Sequence, residues 1–137
     1  MSLEQNKEIA LGVSRAIMNG EWAKVDELLD DNFFYIGDGA APINKAQYIG
    51  FMRGVLCGGM TEMDMDFLRV IAEGDIVAVD YTNAMTHTGE FYGIPATGKR
   101  VFATGQFMRE VKNGKVMAEW QTTNALGLMA QLGAIPA

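Results

Sequence analysis

"DIVAVDYTNAMTHTGEFYGIPATGKRVFATGQFMREVKNGKVMAEWQTT", residues 75–123, decides the fold. Its first segment, residues 75–87, alternates with a period of two. Val77, Val79, Tyr81, Asn83, Met85 and His87 therefore share one face of a strand. "KRVFATGQFMREV" reads as a second strand and "KVMAEWQTT" as a third, and the Asn-Gly between them marks a hairpin turn. Just upstream, "TEMDMDF", residues 61–67, alternates strictly. Met63, Met65 and Phe67 lie on one face and Glu62, Asp64 and Asp66 on the other. Four long strands in succession, with no βαβ alternation, make an antiparallel meander.

The period is different before residue 60. "LEQNKEIALGVSRAIMNG" spaces Leu3, Ile9, Ala10, Val13, Ile17 and Met18 as a helix, and Gly20 suits its end. "EWAKVDELLDD" puts Trp22, Val25, Leu28 and Leu29 on one stripe of a second helix. "NFFYIG" is a short strand and "DGAAP" a loop. "NKAQYIGFMRGVLCGG" is a third helix, with Asn44 as its N-cap. "NALGLMAQLG" closes the chain as a short apolar helix. Helices first and a meander after them read as an α+β protein with helices covering one face of a curved sheet. No repeat or linker divides the 137 residues, so one domain over 1–137 is expected.

Composition excludes several function classes. The net charge is −6 and no basic cluster is present, which argues against nucleic acid and against anionic lipid. No apolar run approaches membrane-spanning length. The one cysteine, Cys57, allows no internal disulfide, which fits a reducing cytoplasm. No metal site or cofactor motif is expected: His87 is the only histidine, and no cysteine lies near it in sequence. The glycines of "THTGEFYGIPATGKRVFATG", residues 86–105, do not follow phosphate-loop spacing and lie between strands. They read as a bend stiffened by Pro95.

Two residues stand out for proton transfer. His87 is an imidazole suited to it near neutral pH, and Glu119 is a strand carboxylate. On the last strand Met117, Glu119, Gln121 and Thr123 share one face and Val116, Ala118, Trp120 and Thr122 the other. Periodicity does not choose which face turns inward. The "GDGAAP" loop places Asp38 either at a cavity mouth or simply in a turn, and the turn is the reading taken. Ten methionines fill apolar faces or line an adaptable site.

Several spaced elements, in one order, resemble the SnoaL-like polyketide cyclase family. They are "HTGEFYGIPATGKRV", then "GQFMREVKNGKVMAEW", then "NALGLMAQLG". The resemblance implies a cone-shaped, strongly curved antiparallel sheet, with three N-terminal helices enclosing an apolar pocket. This fold, shared with ketosteroid isomerases, hosts cyclases, isomerases, epoxide hydrolases and dehydratases, and also proteins without catalysis. The family's strand histidine and the aspartate of its last strand fall on Gln106 and Gln121. A further aspartate falls on Asn124, and the isomerase base falls near Ile36. Amides donate hydrogen bonds but take up no proton.

The expected pocket lining is Phe34, Met52, Leu56, Met63, Met65, Phe67, Tyr81, Met85, Phe102 and Met117. Tyr35, Asn83, Gln106, Gln121 and Asn124 would add polar groups, and His87 and Glu119 are the catalytic candidates. Two functions stay open. One is an acid–base enzyme, without metal or other cofactor, that cyclises or isomerises a small or polycyclic ketone. The other is a non-catalytic small-ligand-binding or accessory protein. A homodimer paired through the sheet is implied by the resemblance in either case.

Overall fold

The computed structural model describes residues 1–136. Helix α1, Leu3–Met18, begins in a capping box: the Ser2 hydroxyl accepts from Gln5 N, and the Gln5 side chain accepts from Ser2 N. Its inner side carries Ala10, Val13, Ser14 and Ile17. The chain leaves the helix through Gly20, which has φ of +69°. Helix α2, Trp22–Leu28, stops one residue short of the expected stripe. Leu29 is extended and pairs with Val116, so strand β1 runs Leu29–Gly37 and is longer than "NFFYIG" alone. Strand β2, Ile43–Asn44, pairs with Phe34 and Tyr35. Helix α3, Lys45–Phe51, starts from Asn44, whose side chain accepts from Gln47 N as the capping pattern implies. It continues through a π-helical turn, Met52–Leu56, and a last α turn, Cys57–Gly59.

The long strands follow: β3 Met60–Glu73, β4 Ile76–His87, β5 Arg100–Lys112 and β6 Lys115–Thr123. Asn113 and Gly114 have φ of 51° and 79°, the two positive values that a type I′ hairpin needs. The sheet order is β2-β1-β6-β5-β4-β3. β3 to β6 form the expected antiparallel meander, but β1 runs parallel to β6, so the sheet is mixed. No hairpin joins that pair, so nothing imposes the antiparallel direction on it. Irregular register in β1, at two places in β3, and between β5 and β6 bends the strands into a curled, unclosed sheet around α1. Helix α4, Ala125–Gln131, closes one end. Its Gln131 side chain bonds both the N–H and the C=O of Phe102.

Which face each strand buries decides the site. β4 alternates as expected, with Val77, Val79, Tyr81, Asn83, Met85 and His87 all inward. On β5 the inward set is Val101, Ala103, Gly105, Phe107, Arg109 and Val111. Phe102 and Gln106 therefore face outward, contrary to expectation. Their register partners, Ala84 and Asp80, belong to the outer face of β4. Phe102 is 57% exposed, and Gln106 donates to the Asp80 carboxylate beside Arg69. Phe34 is also on the outside, edge-on to Trp120. On β6 the register slips between Glu110 and Val111, which leaves Met117 without a cross-strand partner. Beyond that slip Glu119, Gln121 and Thr123 turn inward, which resolves the face that periodicity left open.

Candidate functional site

A cavity of about 440 Å³ lies between the concave face of the sheet and α1, α3, the π-helical turn and α4. That volume suits a small molecule. Ile17, Met52, Met65, Met85, Phe107 and Leu128 give it apolar walls. Of the residues expected there, Tyr35, Met52, Leu56, Met65, Tyr81, Asn83, Met85 and Gln121 line it. The others lie elsewhere. Met63 is half-buried beside Asn83, and Phe67 lies under the Arg15 guanidinium. Met117 sits at the irregularity in β6, and Asn124 caps α4 through Gly127 N. Phe34, Phe102 and Gln106 are on the outer face.

The polar groups of the cavity form a relay. Tyr35 donates to Gln121 Oε1 at 3.4 Å, and Gln121 Nε2 donates to Tyr81 Oη at 2.5 Å. Tyr81 Oη thus accepts a bond while its own proton has no acceptor among the described residues. Two glycines make room for these hydroxyls. A Cβ at Gly37 would lie 2.5 Å from Tyr35 Oη, and one at Gly105 would lie 2.9 Å from Tyr81 Oη. Burial pushes the Tyr81 pKa up to about 12, and it raises Tyr35 and Tyr48 as well, with Glu119 adding to each. The phenols therefore remain neutral donors.

A phenol whose folded pKa exceeds its unfolded value stabilises the fold below pH 10, and that stability is lost as pH rises towards about 12. All four tyrosines are raised, Tyr92 included. At pH 10 Tyr35, Tyr48 and Tyr81 are expected to add little tyrosinate absorbance, which leaves the 60% exposed Tyr92 as its main source. The absorbance of those three should then appear together with the loss of circular dichroism at higher pH. Early ionisation of more than one phenol in the folded chain would mean that the cavity tyrosines are not buried.

Asp38 stands at the cavity mouth, the only carboxylate among the lining residues. Its φ is 51°, so it is a turn residue as expected, but the turn also delivers it to β6. Asp38 N donates to Gln121 O, and the two carboxylate oxygens accept from Thr123 N at 2.8 Å and Thr123 Oγ1 at 2.9 Å. It lies near enough to Tyr35, Tyr81 and Tyr92 to raise the pKa of each.

Glu119 is wholly buried, yet it is not a lining residue. Its Oε1 accepts from Arg109 Nε at 2.6 Å and from Tyr48 Oη at 3.0 Å, and Oε2 has no partner. Arg109 and Tyr48 themselves reach the cavity. Arg109 Nη1 also donates to Ala10 O and Ser14 Oγ, tying the sheet to α1. Burial opposes the Arg109 charge, but Glu119 and Tyr48 outweigh it and hold the pKa above the ordinary guanidinium value. Glu119 thus acts behind the wall, fixing two groups that line it. Neither Arg109 nor Tyr48 was singled out from the sequence. A charged residue in register with Val101, Ala103, Phe107 and Val111 was the available signal for Arg109.

His87 is also wholly buried and outside the lining. Its Nδ1 accepts Thr97 N–H at 3.2 Å and lies 2.9 Å from Thr97 Oγ1, which puts the ring proton on Nε2. His87 N and O bond Lys99 O and Gly98 N. The imidazole therefore fastens residues 88–99 over the end of β4, and that loop brings Phe91 and Tyr92 to the cavity. Among the described residues no cluster of His, Cys, Asp or Glu is arranged to hold a metal ion.

Known structures share this architecture. AclR of Streptomyces galilaeus, to which a hydroxylase role is ascribed, superposes with a TM-score of 0.90 at 24% identity, covering 99% of this chain and 85% of its own. A candidate SnoaL-like polyketide cyclase from Jannaschia sp. CCS1 gives 0.87 at 24% identity, over 97% and 94% of the two chains. IdmH of Streptomyces antibioticus, a candidate polyketide cyclase, gives 0.83 at 23% identity, over 94% and 99%. At these identities the likeness is one of fold. No curated protein matches the chain. The sequence itself carries the assignment: residues 7–132 match the SnoaL-like polyketide cyclase family, and over that span, nearly the whole length, the chain belongs to it.

Proposed function

We propose that this chain binds a small apolar ketone in the cavity and moves its α-proton, the opening step of aldol ring closure or isomerisation. One observation carries the reading: the unused Tyr81 O–H and the lone cavity carboxylate, Asp38, are both tethered to residues 121–123 of β6. Tyr81 donates to the ketone oxygen. Asp38 takes the α-proton, the C–H pair becomes the enolate C=C, and the negative charge moves to the oxygen that Tyr81 holds. The enolate carbon then attacks a second carbonyl within the ligand, whose oxygen becomes a hydroxyl with the proton returned by Asp38, or the enolate is protonated at another carbon by Asp38. Apolar walls favour burial of the ketone's carbon skeleton beside these groups. Membership of a polyketide cyclase family supports ring closure as the outcome.

The test uses 1-tetralone, a bicyclic aryl ketone, in D₂O. Saturable binding is expected by titration, with loss of the α-proton NMR signal faster than in buffer. Binding without exchange would leave a non-catalytic binding protein of the same fold. Absence of binding would overturn the ketone reading altogether.

A further inference from the structure

We infer that Asn83 reads a hydroxyl group on the bound molecule, which makes the ligand a hydroxylated ketone. The inference rests on the ketone reading for its first anchor, Tyr81. Asn83 lines the cavity and is only 4% exposed. Its Oδ1 has no hydrogen-bond partner, and its Nδ2 meets only the Met63 sulfur, at 3.7 Å. Along β4 its neighbours on the same face are Tyr81 and Met85. Across the sheet it pairs with Met65 and Ala103. None of these side chains is hydrogen-bonded to it.

The other polar side chains that face the cavity from the sheet each have a hydrogen-bond partner within the protein, with only the Tyr81 proton left for a ligand. Tyr35, Gln121 and Tyr81 share a relay, Thr123 holds Asp38, and Glu119 and Ser14 hold Arg109. Asn83 stands alone among thioethers. A buried amide oxygen with no donor opposes folding. A ligand hydroxyl donating to Oδ1 supplies the missing bond. Two residues of strand separate Asn83 from Tyr81, which is roughly 7 Å.

The probes are 6-hydroxy-1-tetralone and 6-methyl-1-tetralone, which differ in the group that would meet Asn83. Sites built around a substrate hydroxyl reject analogues that lack it, so the parent chain is expected to bind the hydroxyl probe at least about 10-fold more tightly. Asn83→Leu should abolish that preference by weakening the hydroxyl probe alone. It should also leave the melting temperature of the free chain unchanged or higher, which a structural asparagine would not do. Asn83→Ala reads the same ratio if the leucine variant misfolds, and Asn83→Thr should restore part of the preference. A parent ratio within about 2-fold, or a preference that survives in Asn83→Leu, overturns the inference. The two readings fail separately. Equal binding with α-proton exchange removes only the Asn83 role, and a hydroxyl preference without exchange removes only the catalysis. Absence of binding by either probe removes both.

Discussion

Replacing Arg109 with methionine is expected to cost about 3–5 kcal/mol of folding stability, measured by urea unfolding followed by circular dichroism. The total for a domain of this kind is on the order of 5–15 kcal/mol, so the variant stands near its unfolding threshold. Arg109 and Glu119 are 3% and 0% exposed, and their contact is 2.6 Å. Removing the guanidinium leaves a buried carboxylate with Tyr48 as its remaining donor and with Oε2 already unpartnered. It also frees Ala10 O and Ser14 Oγ, the points at which Arg109 joins α1 to the sheet. The loss mostly reports the stranded charge, not the worth of the pair. The double variant Arg109→Met/Glu119→Leu is therefore expected to recover a large part of it, short of the parent because Tyr48 Oη then lacks its acceptor. A single variant within about 1 kcal/mol of the parent would show that water reaches the pair and that the cavity floor is not dry.

How much of this was legible depends on the range of the interaction that decides each residue. β4 was legible in full, because its alternation has one apolar face and the structure buries that face throughout. β5 was legible as a strand but not as a pair of faces. Phe102 and Phe107 fall on opposite sides, and the Arg109 charge sits on the more apolar face with Val101, Ala103 and Val111, so the pairing with β4 is what turns Phe107 in and Phe102 out. β6 hides its faces in the register slip beside Met117, which no local pattern announces. Arg109 was missed because a charge reads as outward until a buried partner is known, and that partner lies 10 residues away on the next strand. His87 was placed on the correct face, but the loop that covers it is irregular, and its cover decides that it fastens and does not face the cavity. Asp38 was read correctly as a turn residue. What the sequence could not show is the parallel pairing of Gly37 with Gln121, which carries that turn to the cavity mouth.

Asp38 carries the second large effect. Asp38→Asn is expected to slow α-proton exchange of bound 1-tetralone by about 10²- to 10⁴-fold, the usual contribution of a positioned general base. The dissociation constant should change little. The substitution is a clean one for a local reason. Asp38 has a φ of 51°, and asparagine tolerates that left-handed conformation as well as aspartate does, whereas alanine would add strain. The amide oxygen can still accept from one of the two Thr123 donors, so the turn stays docked on β6. What is removed is the one group on the cavity wall able to take up a proton. Thr123→Val separates placement from chemistry: it deletes the hydroxyl that donates to Oδ2 but keeps the carboxylate. Exchange should then fall by less than in Asp38→Asn, with the backbone bond from Thr123 N still in place. Gln121→Leu breaks the relay behind Tyr81, and it should weaken ketone binding and exchange together. If exchange continues at the parent rate in Asp38→Asn, the base is elsewhere. The buried Glu119, reached through Tyr48, then becomes the group to remove, at the stability cost set by Arg109.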